Sequence, residues 1–382
     1  MKKPAIAWLN VSIFSTTGLI ALLGVPYYAY FVGFDLFTLV ASFFALGFCG
    51  LSITAGYHRL WAHKTYQAHP ILEFILAIGG AFALQNSILH WSSDHRVHHK
   101  HVDDNDKDPY SAKMGFWHSH IGWMLRDYQT SHGTDYNNAR DLQRNKIVMW
   151  QHNNYLALAL GTNIGIPLVL GLIHGEMLAM FLTVGVLRLV LNHHSTFFIN
   201  SLAHVWGEQP YTDKNTARDN GILAFLTYGE GYHNFHHIFE GDYRNGIKWW
   251  HYDPTKWLIK ACSYVKLTSN LKVSPESRIE KARADMLLKT SKERLLKLKK
   301  MANYQEQLDK LQQEYENLMT QLNDYYDTKR RLLEIKKKDI QDRVAQIDLH
   351  RELSKQCDQL KQRWRVQKKQ WLAFNQNLQL VS

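Results

Sequence analysis

Apolar and polar positions divide the chain into unlike parts. Trp8–Tyr30 is an almost uncharged apolar run. It is long enough to cross a bilayer core of about 30 Å at about 1.5 Å per helical residue. Phe34–Tyr57 is a second such run, with Asp35 near its edge, and Asn154–Ile173 and Met177–Asn200 are a third and fourth. Ile71–Leu89 is a fifth apolar stretch, with Glu73 near its start. Beyond Pro275 the pattern changes. Met301, Tyr304, Leu308, Leu311, Tyr315, Leu318, Leu322 and Tyr325 follow the 3,4 spacing of a coiled-coil seam. Lys329 breaks the seam before Leu332, and Ile340, Val344 and Ile347 resume it out of phase. This predicts a long solvated helix or a helical hairpin, whose seam and charge also suit dimerisation or contact with anionic lipid.

Composition places a boundary between these parts. Over 382 residues the net charge is +11, and the mean hydropathy of −0.33 averages two different regions. Residues 1–270 carry 20 Lys+Arg against 18 Asp+Glu, and residues 271–382 carry 25 against 16. The second region has no glycine and only one proline, Pro275. We therefore read a membrane domain over 1–270 and a charged helical tail over 271–382. Cys49, Cys262 and Cys357 are far apart and form no CxxC pair, so neither a thiolate metal site nor a disulfide framework is indicated. The start MKKPAIAW lacks a small-residue cleavage site and reads as a retained first span.

Histidine carries the chemistry. Twenty of 21 histidines lie at or before His251. His233, His236 and His237 (HNFHH), like His95, His98 and His99 (HRVHH), have the i, i+3, i+4 spacing of one helical face. His58 and His63 (HRLWAH) form a looser pair. Imidazole suits iron, zinc and copper, and this many ligands exceeds the four that one zinc ion takes. Two metal ions fit better, and nitrogen-rich ligation at a membrane surface suits non-haem iron oxidising a lipid or long acyl chain.

Topology follows if the clusters meet. Ile71–Leu89 separates the first two and cannot cross without stranding His95 on the opposite side, so it should lie along the surface or pack against the domain. The expectation is an all-α membrane protein of four spans (about 8–30, 34–57, 154–173 and 177–200). A cytoplasmic helical cap, built from 58–153 and 201–266, holds the histidines, and both termini are cytoplasmic. The predicted outside loops, near Phe31–Phe34 and His174–Glu176, lack Lys and Arg, as the positive-inside rule requires. Asp94, Asp103, Asp106 and Glu230 are candidates for orienting imidazoles, although Asp103 and Asp106 read more readily as ordinary surface carboxylates. His90 and His101 flank the second cluster and suit a supporting role. His193, His194 and Arg188 lie late in the fourth span, where they either line a substrate tunnel or pack.

The motifs HRLWAH, DHRVHHK with the following Asp103–Pro109 run, NSLAH (Asn200–His204) and GEGYHNFHH (Gly229–His237) resemble the membrane-bound stearoyl-CoA (acyl-CoA delta-9) desaturase family. The resemblance covers about residues 8–266. It implies a di-iron site held by His58, His63, His95, His98, His99, His204, His233, His236 and His237, with Asn200 near one iron through water. His204 enters only through this resemblance. The implied reaction uses dioxygen and two electrons to turn a saturated acyl chain into a cis alkene, with no separate catalytic acid or base and no bound haem or flavin. Implied substrate contacts are Gln85, Asn86, Trp91, Asp94, Arg126, Thr196 and Phe197. Ser93 stands where the family has arginine, Phe197 where vertebrate members have tryptophan, and Arg126-Asp127 where a basic pair is usual. These departures leave acyl-CoA, acyl-lipid and acyl carrier protein open as substrates. No HPGG cytochrome motif is visible, so a separate ferredoxin- or cytochrome-type donor with its reductase is expected. Membrane lipid and a second copy through the tail are the other expected partners, and nucleic acid is not. A related lipid or alkane hydroxylase, or a histidine-rich zinc transporter or store, are the competing classes.

Overall fold

The computed structural model describes residues 4–128, 135–297, 303–335 and 343–381. The described chain is mainly helical and forms two compact units: residues 1–209 with 213–273, and residues 210–212 with 274–382.

In the first unit four helices are long and apolar enough to cross a membrane: α1 (Trp8–Phe31), α2 (Leu36–Ala62), and two later ones, Tyr155–His174 and Met177–Val205. Asp35 starts α2 by accepting a 2.7 Å bond from the Thr38 amide, satisfying one of the helix's free N–H groups. The second helix continues five residues past Tyr57, where the apolar pattern stops, and so carries His58 itself. Its last part, Ser52–Ala62, is wound with i→i+5 bonds and is buried throughout.

Helix α3 (Pro70–Phe82) has 13 residues. At 1.5 Å each it reaches about 20 Å, short of a bilayer core. Its buried residues, from Leu72 to Phe82, pack on the wide-wound end of α2. The contact is close because Gly79 and Gly80 present no side chain. A Cβ on Gly80 would lie 2.1 Å from Tyr57 Cε1, and one on Gly79 2.0 Å from Ser52 Oγ. The chain then turns through Leu84 and Asn86, both at positive φ, into α4 (Ile88–His101), capped by Ser87. After α5 (Lys146–Asn153) come the third and fourth long helices, α6 (Tyr155–His174) and α7 (Met177–Val205). Three short helices follow: α8 (Gly221–Leu226), α9 (His233–Ile238) and α10 (Pro254–Tyr264). One two-stranded antiparallel ribbon, Gln67–Ala68 with Thr268–Ser269, ties the end of this unit back to its middle.

The second unit contains α11 (Glu276–Lys297), α12 (Tyr304–Ile335) and α13 (Arg343–Val381). Leu311, Leu318, Leu322 and Tyr325 of the expected seam are buried against Cys357, Trp364, Trp371 and Leu378, which recur every seven residues on α13. Tyr325 stacks on Trp364 with centroids 5.6 Å apart. Within this single chain the seam is filled by its own helices. A buried polar pair, Ser291 to Asn375 at 2.5 Å, fixes the register of α11 on α13. Ile347 is 65 % exposed and outside the core. Met301, Ile340 and the side chain of Val344 lie outside the described residues.

Gly80→Ala should destabilise the first unit by about 1–3 kcal/mol, the usual cost of overpacking. Thermal unfolding of the detergent-solubilised protein measures this.

Candidate metal centre

The wide winding of α2 explains the HRLWAH spacing. On an α-helix, residues five apart differ in direction by about 140°. Here the His63 amide bonds the His58 carbonyl at 3.1 Å, an i→i+5 link that stacks the two residues one turn apart. Their rings lie 4.8 Å apart between centroids.

The two HxxHH motifs each divide between two sites. His58, His63, His95, His99 and His236 form one group, and His98, His204, His233 and His237 another; within each, the nearest ring nitrogens all lie within 4.8 Å of one another. On α4, His95 and His99 serve the first group and His98 the second. On α9, His236 serves the first, and His233 and His237 the second. The shared face of each triad spreads over enough arc to feed two neighbouring groups.

Carboxylates set the direction of these rings. Glu230 lies 2.9 Å from His58 Nδ1, Asp108 2.8 Å from His98 Nδ1 and Glu240 3.0 Å from His99 Nδ1. His204 Nδ1 meets the Thr216 hydroxyl at 2.8 Å, which donates to Asp103 at 2.7 Å. His95 Nδ1 lies 3.2 Å from the Tyr110 hydroxyl. A proton held at Nδ1 by an anion leaves the Nε2 lone pair facing inward. The inward contacts are Nε2 to Nε2: His58–His236 at 3.0 Å, His63–His95 at 2.9 Å, His99–His236 at 3.0 Å, His204–His233 at 3.1 Å and His233–His237 at 3.0 Å. Lone pairs facing each other at this range repel, and a shared cation removes the repulsion. The donor set fits two nitrogen-ligated metal ions.

Burial and the surrounding rings push His63, His95, His233, His236 and His237 well below the ordinary imidazole range. Burial lowers His99 to about 4 despite Glu240. All six are neutral at physiological pH, the form that binds metal. Burial opposes ionisation of Glu230, but His58 and Arg59 outweigh it and bring the carboxyl down to about 2. Arg59 clamps this arrangement: it donates to Glu230 at 2.8 Å and to Asp253 at 3.1 Å. Asp253 also caps α10 through the Lys256 amide at 2.9 Å. Gly229 allows this approach, because it sits at φ +100° and a Cβ there would lie 2.6 Å from Asp253 Oδ1.

Of the four carboxylates singled out from sequence, Glu230 touches a histidine of the two groups directly, and Asp103 acts through Thr216. Asp103 is buried at 8 % exposure, which corrects its reading as a surface group. Asp94 instead pairs with His90 at 3.3 Å, and Asp106 is exposed. Asp108 and Glu240 were missed. Asp108 is the last acid of the Asp103–Pro109 run, ten residues past His98, so that run was a usable signal; Glu240 pairs with His99 on α4, and no spacing marks it.

A cavity of about 540 Å³ adjoins the centre. Gln85, Asn86, Trp91, Asp94, Arg126, Thr196, Phe197, Asn200 and His193 all line it. Trp91 stacks on His95, with centroids 4.8 Å apart, and Tyr110, also on its wall, stacks on His98. Gln85 donates to Thr196 at 2.8 Å across this wall. His194 pairs instead with His120 at 3.0 Å. Arg188 is buried and spends its guanidinium on the Phe82 carbonyl and Asn163, a packing role.

The Fatty acid desaturase family matches residues 35–268. Similar proteins include the probable acyl-CoA desaturase of Schizosaccharomyces pombe, 42% identical over 275 residues, covering 72% of this chain and 56% of that protein. Acyl-CoA desaturase 1 of Saccharomyces cerevisiae is 42% identical over 249 residues, 65% of this chain and 48% of that protein. The sn-2 palmitoyl-lipid 9-desaturase of a Nostoc species is 36% identical over 278 residues, 72% of this chain and 93% of that protein. The chain is an integral membrane protein and belongs to the fatty acid desaturase family. It spans about half the length of the two yeast relatives.

Two outcomes test the centre. Glu230→Gln should weaken metal retention about 10–100-fold, measured by chelator competition. The metal-free protein should lose thermal stability as pH falls below about 6.5: the unfolded histidines then take up protons, whereas the buried ones, held below that value, do not.

Proposed function

We propose that this protein is an O2-dependent fatty acyl desaturase that inserts a cis double bond, at the delta-9 position, into a saturated long-chain acyl thioester. The observation that carries the proposal is the junction of the two histidine groups with the 540 Å³ cavity through Trp91 and Tyr110. His58, His63, His95, His99 and His236 would hold one iron and His98, His204, His233 and His237 the other, with Asn200 near one through water. Bound there, two irons would supply oxidation of an unactivated C–H bond with dioxygen and two electrons.

The chain's own residues do the rest. Phe14, Leu84 and Phe197 present apolar surface to the acyl chain and exclude water. Gln85 and Thr196, bonded across the wall, set where the chain bends beside the metals. Arg126, Asn86 and Asp94 meet the headgroup at the polar end. Both termini and the centre face the cytoplasm, which puts the two loops lacking Lys and Arg outside. Electrons come from a separate ferredoxin- or cytochrome-type protein. We read the 271–382 region as a charged helical module.

A second reading, an acyl-lipid substrate, is favoured by the Nostoc relative, whose whole length the chain nearly matches. The position of the double bond is the other variable, since relatives also include acyl-CoA Delta(11) and Delta12 desaturases.

Expression in a host lacking delta-9 unsaturation should yield a new cis monoene, read as methyl esters by mass spectrometry, with headgroup preference read from labelled acyl-CoA and phospholipid. His236→Ala should abolish the product while leaving membrane insertion intact, because the long helices form independently of the metals. Absence of any monoene with iron and donor supplied refutes desaturation. A hydroxylated product would instead assign the hydroxylase class.

A further inference from the structure

The cavity has one wall made of very little protein. Ala5, Ile6 and Ala7 line it, opposite Trp123, Met124, Arg126 and Asp127. This segment precedes α1 and runs antiparallel to residues 125–127, with Ile6 opposite Arg126. Two backbone bonds hold it: Ala7 N–H to the Leu125 carbonyl at 3.0 Å and Asp127 N–H to the Ala5 carbonyl at 2.9 Å. Its far end is held by a side chain, since Arg126 Nη1 donates to the Pro4 carbonyl at 2.9 Å. Just inside α1, Asn10 donates to the Met124 carbonyl at 2.8 Å. Ile6 is itself 38 % exposed. The segment therefore forms part of the cavity wall while burying little apolar surface, and among the described residues the hydrogen bonds above hold it in place. A piece of chain held this way is drawn from the least stable part of a fold.

Arg126 has two calls on its guanidinium. It lines the polar end of the cavity, and it also holds Pro4. A guanidinium binds a phosphate by two parallel charge-assisted bonds, each stronger than one to a neutral carbonyl. A phosphate bound across both Nη groups of Arg126 would take Nη1 away from Pro4.

We propose that Pro4–Ala7 is a strap closing the acyl cavity, and that Arg126 is its latch, released by the phosphate of an acyl headgroup. The proposal rests on the cavity being the acyl site. It couples recognition of the headgroup to opening of the chain's path, so that a free apolar tail, without a phosphate, leaves the strap shut.

Two measurements test this without calling on turnover. The first locks the strap: Ala7→Cys with Leu125→Cys, opposed in the pairing, in a Cys262→Ser background. Oxidation should slow uptake of labelled palmitoyl-CoA at least tenfold. Reductant should restore it, which separates locking from misfolding, and Ala7→Pro, which removes one backbone bond, should speed it. Uptake by the oxidised protein at the wild-type rate would show that the acyl chain enters from the bilayer side, and the strap would not be a gate. The second places a spin label at Ile6→Cys. Its mobility should rise with palmitoyl-CoA or with dipalmitoyl phosphatidylglycerol, the response naming the source of the phosphate, and not with palmitoyl alcohol. An equal rise with the alcohol, or none with either phosphate, would overturn the latch. If the protein bound acyl chains but made no alkene, the strap would stand and the desaturase reading would fall.

Discussion

Everything in the membrane unit is subordinate to the convergence of buried imidazoles with their lone pairs inward. Uncharged rings tolerate burial, but each carries one proton and one lone pair, and where the protons go to outer oxygens the inward lone pairs have no donor left. Here Glu230, Asp108 and Glu240 lie against Nδ1 of three rings, and Thr216, backed by Asp103, against a fourth. The lone pairs that remain are suited to hold cations. The cost of carrying these carboxylates inside the protein is offset in turn by Arg59, which joins Glu230 to Asp253 and so to the cap of α10. The site is thus wired to the fold through a buried charge network rather than through apolar packing alone.

The helices are shaped to deliver ligands. Ordinary α-helical periodicity places ligands at i, i+3 and i+4, which serves α4 and α9. It cannot serve a pair five apart, and the wide winding of Ser52–Ala62 meets that need. That segment is also where α3 packs most closely, over Gly79 and Gly80. Short α3 therefore buttresses that turn, which accounts for its apolar buried face.

Much of this was legible in the chain. Runs of apolar residues near 20 long located the four long helices, because backbone groups in lipid leave few alternatives to helix. The histidine triads were legible because a metal's demand for imidazole fixes residue type and spacing together. What was not legible depended on contacts distant in sequence. His204 stands alone among its neighbours and joins His233 only through folding. Glu240 is a single carboxylate whose partner, His99, is set by tertiary structure. The allocation of His98 away from His95 and His99 cannot be read from a shared helical face. In the second unit the seam on α12 was visible, yet its partner was not, since the same 3,4 pattern suits a second copy or the chain's own α13. In this chain Trp364 and Trp371, seven apart on α13, fill it.

The central claim is that nine histidines make two metal centres, one of five and one of four. The most direct measurement is the metal stoichiometry of the full chain purified from iron-replete cells, by elemental analysis against protein concentration. Two metal ions per chain, falling to about one in a His204→Ala, His233→Ala double variant, is the predicted result. No bound metal, or a single ion per chain with all nine histidines intact, would contradict it.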